Sequence, residues 1–339
     1  MQKLQQELHA AILRSRNRSE LFAVLSEVEY LDHLNQSTAL HKWAKGQADD
    51  SVLPQCLRVT CVDDWPSRSV STALWAAGST GDVEVIASID LAKIPVRDWS
   101  VRDIANAVWG AAKVDATHAT EFWLHACTVL HGRRFDDSRH LAMIAWSGGK
   151  LNEQLPAWLV LACTRLVGKM TPQDMSMVMW ACSTSQTPAE QLFAECCVKI
   201  IMTDGKGLTS QGIANVAWAL SVGYRKRSRR ALQVLCSRIS WDRLSPEQIS
   251  AVVLAFSKEG VSVPHDAIAM SDLSSWGTRE LLNVVWGLSR YSSDLDNLIR
   301  RVCLELHAPH RASTMTNEDI YALTRAMAVA YYGLSDSFI

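Results

Sequence analysis

The sequence predicts an all-α chain, an α-solenoid of about nine helical hairpins with a period near 36 residues. Three observations carry this. One tryptophan phrase returns as DIANAVWGAAK (103–113), IANVAWALSVG (213–223) and ELLNVVWGLSR (280–290). Helix-start signals recur upstream of it, and alternating strand patterns are sustained nowhere.

Aligned on the indole, the slots are Trp43, Trp75, Trp109, Trp146, Trp180, Trp218 and Trp286, with Leu254 and Arg325 filling two degenerate copies. The seven steps from Trp75 to Arg325 average about 36 residues. SVRD (100–103), TPQD (171–174), SPEQ (245–248) and TNED (316–319) read as N-caps or capping boxes, with Pro172 and Pro246 at the first helical position. The residue after each slot position is always small, from Ala44 and Gly110 to Gly287 and Ala326, which lets neighbouring helices approach. Each indole reads as a buried core spacer, so Trp218→Ala is expected to cost about 3–5 kcal/mol. A second amphipathic helix follows in most periods, as at 190–201, 228–239 and 295–306, with a compressed segment at 260–276.

These slots divide the chain into an N-terminal helix or weak targeting segment (1–18), a repeat array (19–335) and a short tail (336–339), with no room for a separate catalytic domain. The first stretch has some Arg and Ser, but Glu7 and Glu20 oppose a transit peptide and favour an amphipathic helix.

Composition narrows the function. At 339 residues, 48% apolar and 20% charged, the chain can bury a sizeable core. Its net charge of -1 provides no global field for nucleic acid, so such binding must rest on local patches. Nine cysteines without paired CxxC spacing, several in apolar runs, read as reduced core residues of an intracellular protein. No stretch approaches the ~18–20 apolar residues of a membrane span, so no membrane partner is expected. The histidines lack zinc-site spacing, no P-loop, GxSxG or dinucleotide fingerprint occurs, and no metal, cofactor or enzymatic activity is expected.

The slot phrase, together with LNQSTALHKWAKG (34–46), resembles the octotricopeptide repeats of green algae and the related arrays of FASTK-like and RAP-domain proteins in apicomplexans and dinoflagellates. The likeness spans about residues 19 to 335. It implies binding of single-stranded organelle RNA in a mitochondrion or plastid, acting on transcript stability, processing, splicing or translation. The leader's weakness leaves the cytoplasm open as a compartment.

In such a reader, two or three side chains per first helix meet one base. Positions seven and three before the slot residue, and four after it, share one helix stripe. Seven before stand Gln36, Arg68, Arg102, Arg139, Gln173, Gln211, Glu247, Arg279 and Glu318. Three before stand Asn106, Asn215 and Asn283, among Leu40, Thr72, Met143, Met177, Ala251 and Ala322. Four after come Lys113, Lys150, Lys258 and Arg290. Amides suit base edges and cations suit phosphates, but each Asn could equally lock neighbouring helices, and each cation could cap a helix end. Arg225, Lys226, Arg227, Arg229 and Arg230 form the densest basic cluster, read as a turn between two helices, with Arg133-Arg134 and Arg300-Arg301 as weaker versions. The rival expectation is a protein-binding scaffold, favoured by Glu247, Glu318 and Asp319.

Overall fold

A computed structural model describes residues 2–26, 28–46, 53–59, 61–86, 89–223, 228–263, 268, 272–289 and 296–332. Among these residues there are seventeen α-helices, short 3-10 turns and no strand. The chain divides into two compact units, 1–163 and 164–339.

Unit 1 holds α1 (Gln2–Arg14), α2 (Arg18–Leu25), α3 (His33–Lys45), α4 (Ser67–Thr80), α5 (Val101–Lys113), α6 (Ala119–Leu130) and α7 (Ser138–Lys150), with the boundary falling inside α8 (Ala157–Leu166). The slot helices α3, α4, α5 and α7 pack each on the next, α1 covers α3, and α6 backs α5. In unit 2, the slot helices are α9 (Pro172–Thr184), α11 (Ser210–Gly223), α13 (Pro246–Lys258), α14 (Thr278–Leu288) and α17 (Asn317–Tyr332), again packed in sequence. Between them lie α10 (Glu190–Met202), α12 (Arg229–Cys236), α15 (Asp296–Leu306) and the short α16 (Pro309–Ala312). Both units therefore stack helices in solenoid fashion.

The helices start where their caps dictate. Thr171 with Asp174 and Ser245 with Gln248 form reciprocal capping boxes, and Ser100 accepts from the Asp103 amide. Each of these caps lies nine residues before its slot residue.

That spacing corrects the first slot. The cap of α3 is Asp32, and nine residues on stands His41, not Trp43. His41 pairs with Trp75, ring centroids 5.3 Å apart, as Trp109 pairs with Trp146 at 6.1 Å. Trp43 is fully buried at 4% exposure, one face away. Under this register the residue after the first slot position is Lys42, which breaks the small-residue rule for a physical reason. The helices packed on α3 from before it, α1 and α2, are not slot helices. Lys42 instead donates to the Leu13 and Ser15 carbonyls that end α1.

Elsewhere the small-residue rule follows from backbone contact. A Cβ on Gly110 would overlap the Leu74 carbonyl, and one on Gly78 would meet the Gly110 Cα at 2.7 Å. Hydroxyls tie the same seams: Ser37 to Ser69, Ser71 to Asp103, and Ser183 to the Ala219 carbonyl.

The slot indoles are not core residues. Trp75, Trp109, Trp146, Trp180, Trp218 and Trp286 are all part-buried, while the residues just before and after each are buried. They close the seam on one side and reach solvent on the other. Among the described residues the most deeply buried indole is Trp123 of α6, donating to the Ile144 carbonyl at 2.8 Å.

Second helices fill the expected segments as α10, α12 and α15. The periods after His41 and Trp75 depart from the hairpin rule, since their described residues form 3-10 turns at 55–57, 83–85, 91–93 and 96–98. Long cations grip such turns. Arg133 donates to the Trp99 and Arg97 carbonyls, Lys199 to Val167, Gly168 and Met170, and Arg311 to Trp276 and Ser274. Of these carbonyls, that of Val167 also accepts from the Met170 amide. In the 260–276 segment the described residues hold a 3-10 turn at 273–275, while 264–267 and 269–271 lie outside those described, as does the tail 336–339.

Candidate nucleic-acid interface

Each slot helix turns one stripe outward. The position seven before the slot residue is the second residue of its helix: Arg68, Arg102, Arg139, Gln173, Gln211, Glu247, Arg279 and Glu318, all exposed. Gln36 does not belong to this series once His41 is the slot residue. It is buried, and its amide donates to the Cys56 and Arg58 carbonyls, each at 3.0 Å. Leu34 takes its place.

One turn on, Asn106, Asn215 and Asn283 are part-buried, and their side chains bond to no other described residue. The inter-helix lock is therefore not their role here. Asn35 does perform one, donating to the Gln5 backbone and side chain while facing His9 Nδ1 at 2.8 Å. Met143 holds the same position as the three asparagines on α7 and is buried.

The cations four after the slot residue differ among themselves. Lys113 lies over the Trp146 ring, 5.5 Å from its centroid. Lys150 pairs with Asp115 at 3.1 Å, an exposed pair of small energetic weight. Lys258 is exposed. Arg225, Lys226, Arg227 and Arg290 lie outside the described residues. Of the lesser basic runs, Arg133 is committed to its turn and Arg134 pairs with Asp136 at 3.0 Å.

In unit 1 the stripe closes into a groove of about 500 Å³. Arg68, Arg102 and Arg139 line it with Lys45, Thr38, Thr72, Asn106, His41 and Trp75, and with His140, Asp103 and Asp137. Arg102 lies 3.7 Å from Asp103, whose two oxygens already accept from Ser71 and Ser100. Arg68 and Arg139 have no carboxylate partner among the described residues. Burial lowers the pKa of His41 below its ordinary 6.5, helped by Lys45 and Arg68. Burial also lowers that of His140, opposed by Asp137 and assisted by Arg102 and Arg139. Both rings are therefore predominantly neutral at pH 7.

His41 and Lys45 were missed as site residues because Trp43 drew the alignment two places off. The signal lay in the repeated STAL at 37–40 and 71–74, which places His41 opposite Trp75. Lys45 then falls four after the slot residue, in series with Lys113 and Lys150.

Among the described residues no group of His, Cys, Asp and Glu could hold a metal ion, and no helix is long and apolar enough to cross a membrane. No protein-family model matches the chain, and no curated relative matches it.

Proposed function

We propose that this chain is a non-catalytic RNA-binding protein that takes single-stranded RNA along the outward stripe of its slot helices. The observation that carries the reading is the groove of unit 1. There Arg68, Arg102, Arg139 and Lys45 meet the unpartnered Asn106 amide and the part-exposed His41–Trp75 ring pair. Guanidinium and ammonium groups suit phosphates, an amide offers both a donor and an acceptor to a base edge, and aromatic faces accept stacked bases. Asn215 and Asn283 repeat the amide in unit 2. The resemblance to octotricopeptide arrays supports a setting in organelle RNA metabolism, in a mitochondrion or plastid.

Exposed Glu247 and Glu318 favour a second reading for unit 2 alone, a docking surface for a basic protein segment. Titration with a random pool of short single-stranded RNA at low salt separates the two. The RNA reading expects binding that weakens steeply as salt rises. Absence of binding above a neutral polymer control would end it.

A further inference from the structure

The charges in the unit 1 groove exceed what the middle of an RNA strand requires. Lys45, Arg68, Arg102 and Arg139 face Asp103 and Asp137, which leaves a net of +2 while His41 and His140 are neutral. An internal phosphodiester brings one negative charge per nucleotide. A terminal phosphomonoester brings nearly two at pH 7, because its second pKa is about 6, and it offers three acceptor oxygens to the guanidinium donors. The groove volume of about 500 Å³ falls within the roughly 300–1,000 Å³ of small-ligand sites, which suits one nucleotide rather than a run of them.

We infer that this groove receives a nucleotide carrying a phosphomonoester, with the phosphate held by Arg68, Arg102 and Arg139 and the base against the His41–Trp75 pair. Such a group is found at the end of an RNA strand and on a free mononucleotide. The strand-end source rests on the RNA reading above, whereas the free mononucleotide does not.

The geometry of the aromatic pair fits the assignment. Its rings sit 5.3 Å apart at 38°, tilted rather than stacked flat, and both are part-buried with one side toward the groove. Asn106 and Thr72 stand one turn from the arginines on α5 and α4, within the same lining, where a base edge would find a donor and acceptors.

The test uses the full chain and one ten-nucleotide RNA in three forms: 5′-phosphorylated, 3′-phosphorylated, and hydroxyl at both ends. Adenosine monophosphate is added as a competitor. One phosphorylated form should bind about tenfold tighter than the hydroxyl form, the worth of one charge-assisted contact. Arg139→Gln, an exposed change that removes a cation opposed by the helix dipole and so should not lower the melting temperature, should reduce that advantage to about twofold or less. Competition by the free nucleotide at concentrations comparable to the strand makes the mononucleotide the source, and a strand-only advantage makes it the RNA end. Equal binding of all three strands, with no effect of the free nucleotide, overturns the inference and leaves the RNA surface standing. Binding of the nucleotide without any strand upholds the inference and removes the RNA reading. An end-phosphate advantage that survives both Arg139→Gln and Arg102→Gln places the phosphate elsewhere and overturns the inference. Failure of every strand and of the nucleotide removes both.

Discussion

The second residue of each slot helix separates the two units. In unit 2 these residues are Gln173, Gln211, Glu247, Arg279 and Glu318. Only one is a cation, in keeping with the partial positive charge at a helix N-terminus. In unit 1, α4, α5 and α7 place Arg68, Arg102 and Arg139 there, three consecutive departures, each opposed by the dipole by about 0.3–1 kcal/mol. All three departures face one groove. Where folding preference alone would choose an acid or an amide, unit 1 holds cations, a difference that the proposed phosphate contacts would account for.

The largest expected effect contrasts two kinds of indole. Trp123→Ala in unit 1 should cost about 3–5 kcal/mol, since the ring is fully buried and its N–H is bonded. Trp218→Ala in unit 2 removes a ring that is only part-buried and should cost less, about 2 kcal/mol. Urea denaturation of both variants checks this, and equal losses would make the slot indoles core residues after all. Next comes the seam. Gly110→Ala should destabilise by about 3 kcal/mol because no rotamer can move the Leu74 carbonyl aside. Ala219 holds the same position in unit 2 with a Cβ in place, so tolerance of Gly110→Ala would contradict a backbone contact specific to Gly110.

Smaller still is the effect of a single amide. Asn215→Ala should weaken RNA binding by about 1–3 kcal/mol and relax preference at one nucleotide, with the fold intact. A uniform loss across all sequences would assign Asn215 to the backbone instead. The smallest effect is on acid stability. His41 and His140 have lowered pKa values in the fold, so the unfolded chain takes up protons first. Stability from this source is complete above pH 6.5 and declines as pH falls below it. His140→Gln should flatten the melting temperature between pH 6.5 and 5, and an unchanged acid slope would remove His140 from the account.

How much of this was legible in sequence depends on the range of the interactions. Caps such as Ser245 with Gln248 are three residues apart, and the slot phrase repeats along one helix, so the helices and their starts could be read directly. The outward stripe followed from helical spacing as well. The grip of Arg133 on a turn 34 to 36 residues earlier could not be read, because it needs the second helix folded back. The half-burial of the indoles depends on where the neighbouring helix sits, which composition does not record. Pooling of Arg68, Arg102 and Arg139 into one groove likewise requires the stacking of three helices. The first register failed for a simpler reason, since an indole at Trp43 outweighed the quieter match of STAL.

The central proposal is that unit 1 supplies most of the phosphate contacts and unit 2, apart from Arg279, mainly uncharged ones, and the salt dependence of RNA binding tests it most directly. The slope of log K against log salt should become shallower by about 2 in the Arg68→Gln, Arg102→Gln, Arg139→Gln triple variant, at roughly 0.7 per single-strand phosphate contact. Gln173→Ala with Gln211→Ala should weaken binding while leaving the slope unchanged. A triple variant with the wild-type slope, or a glutamine pair that flattens it as much, would contradict the division.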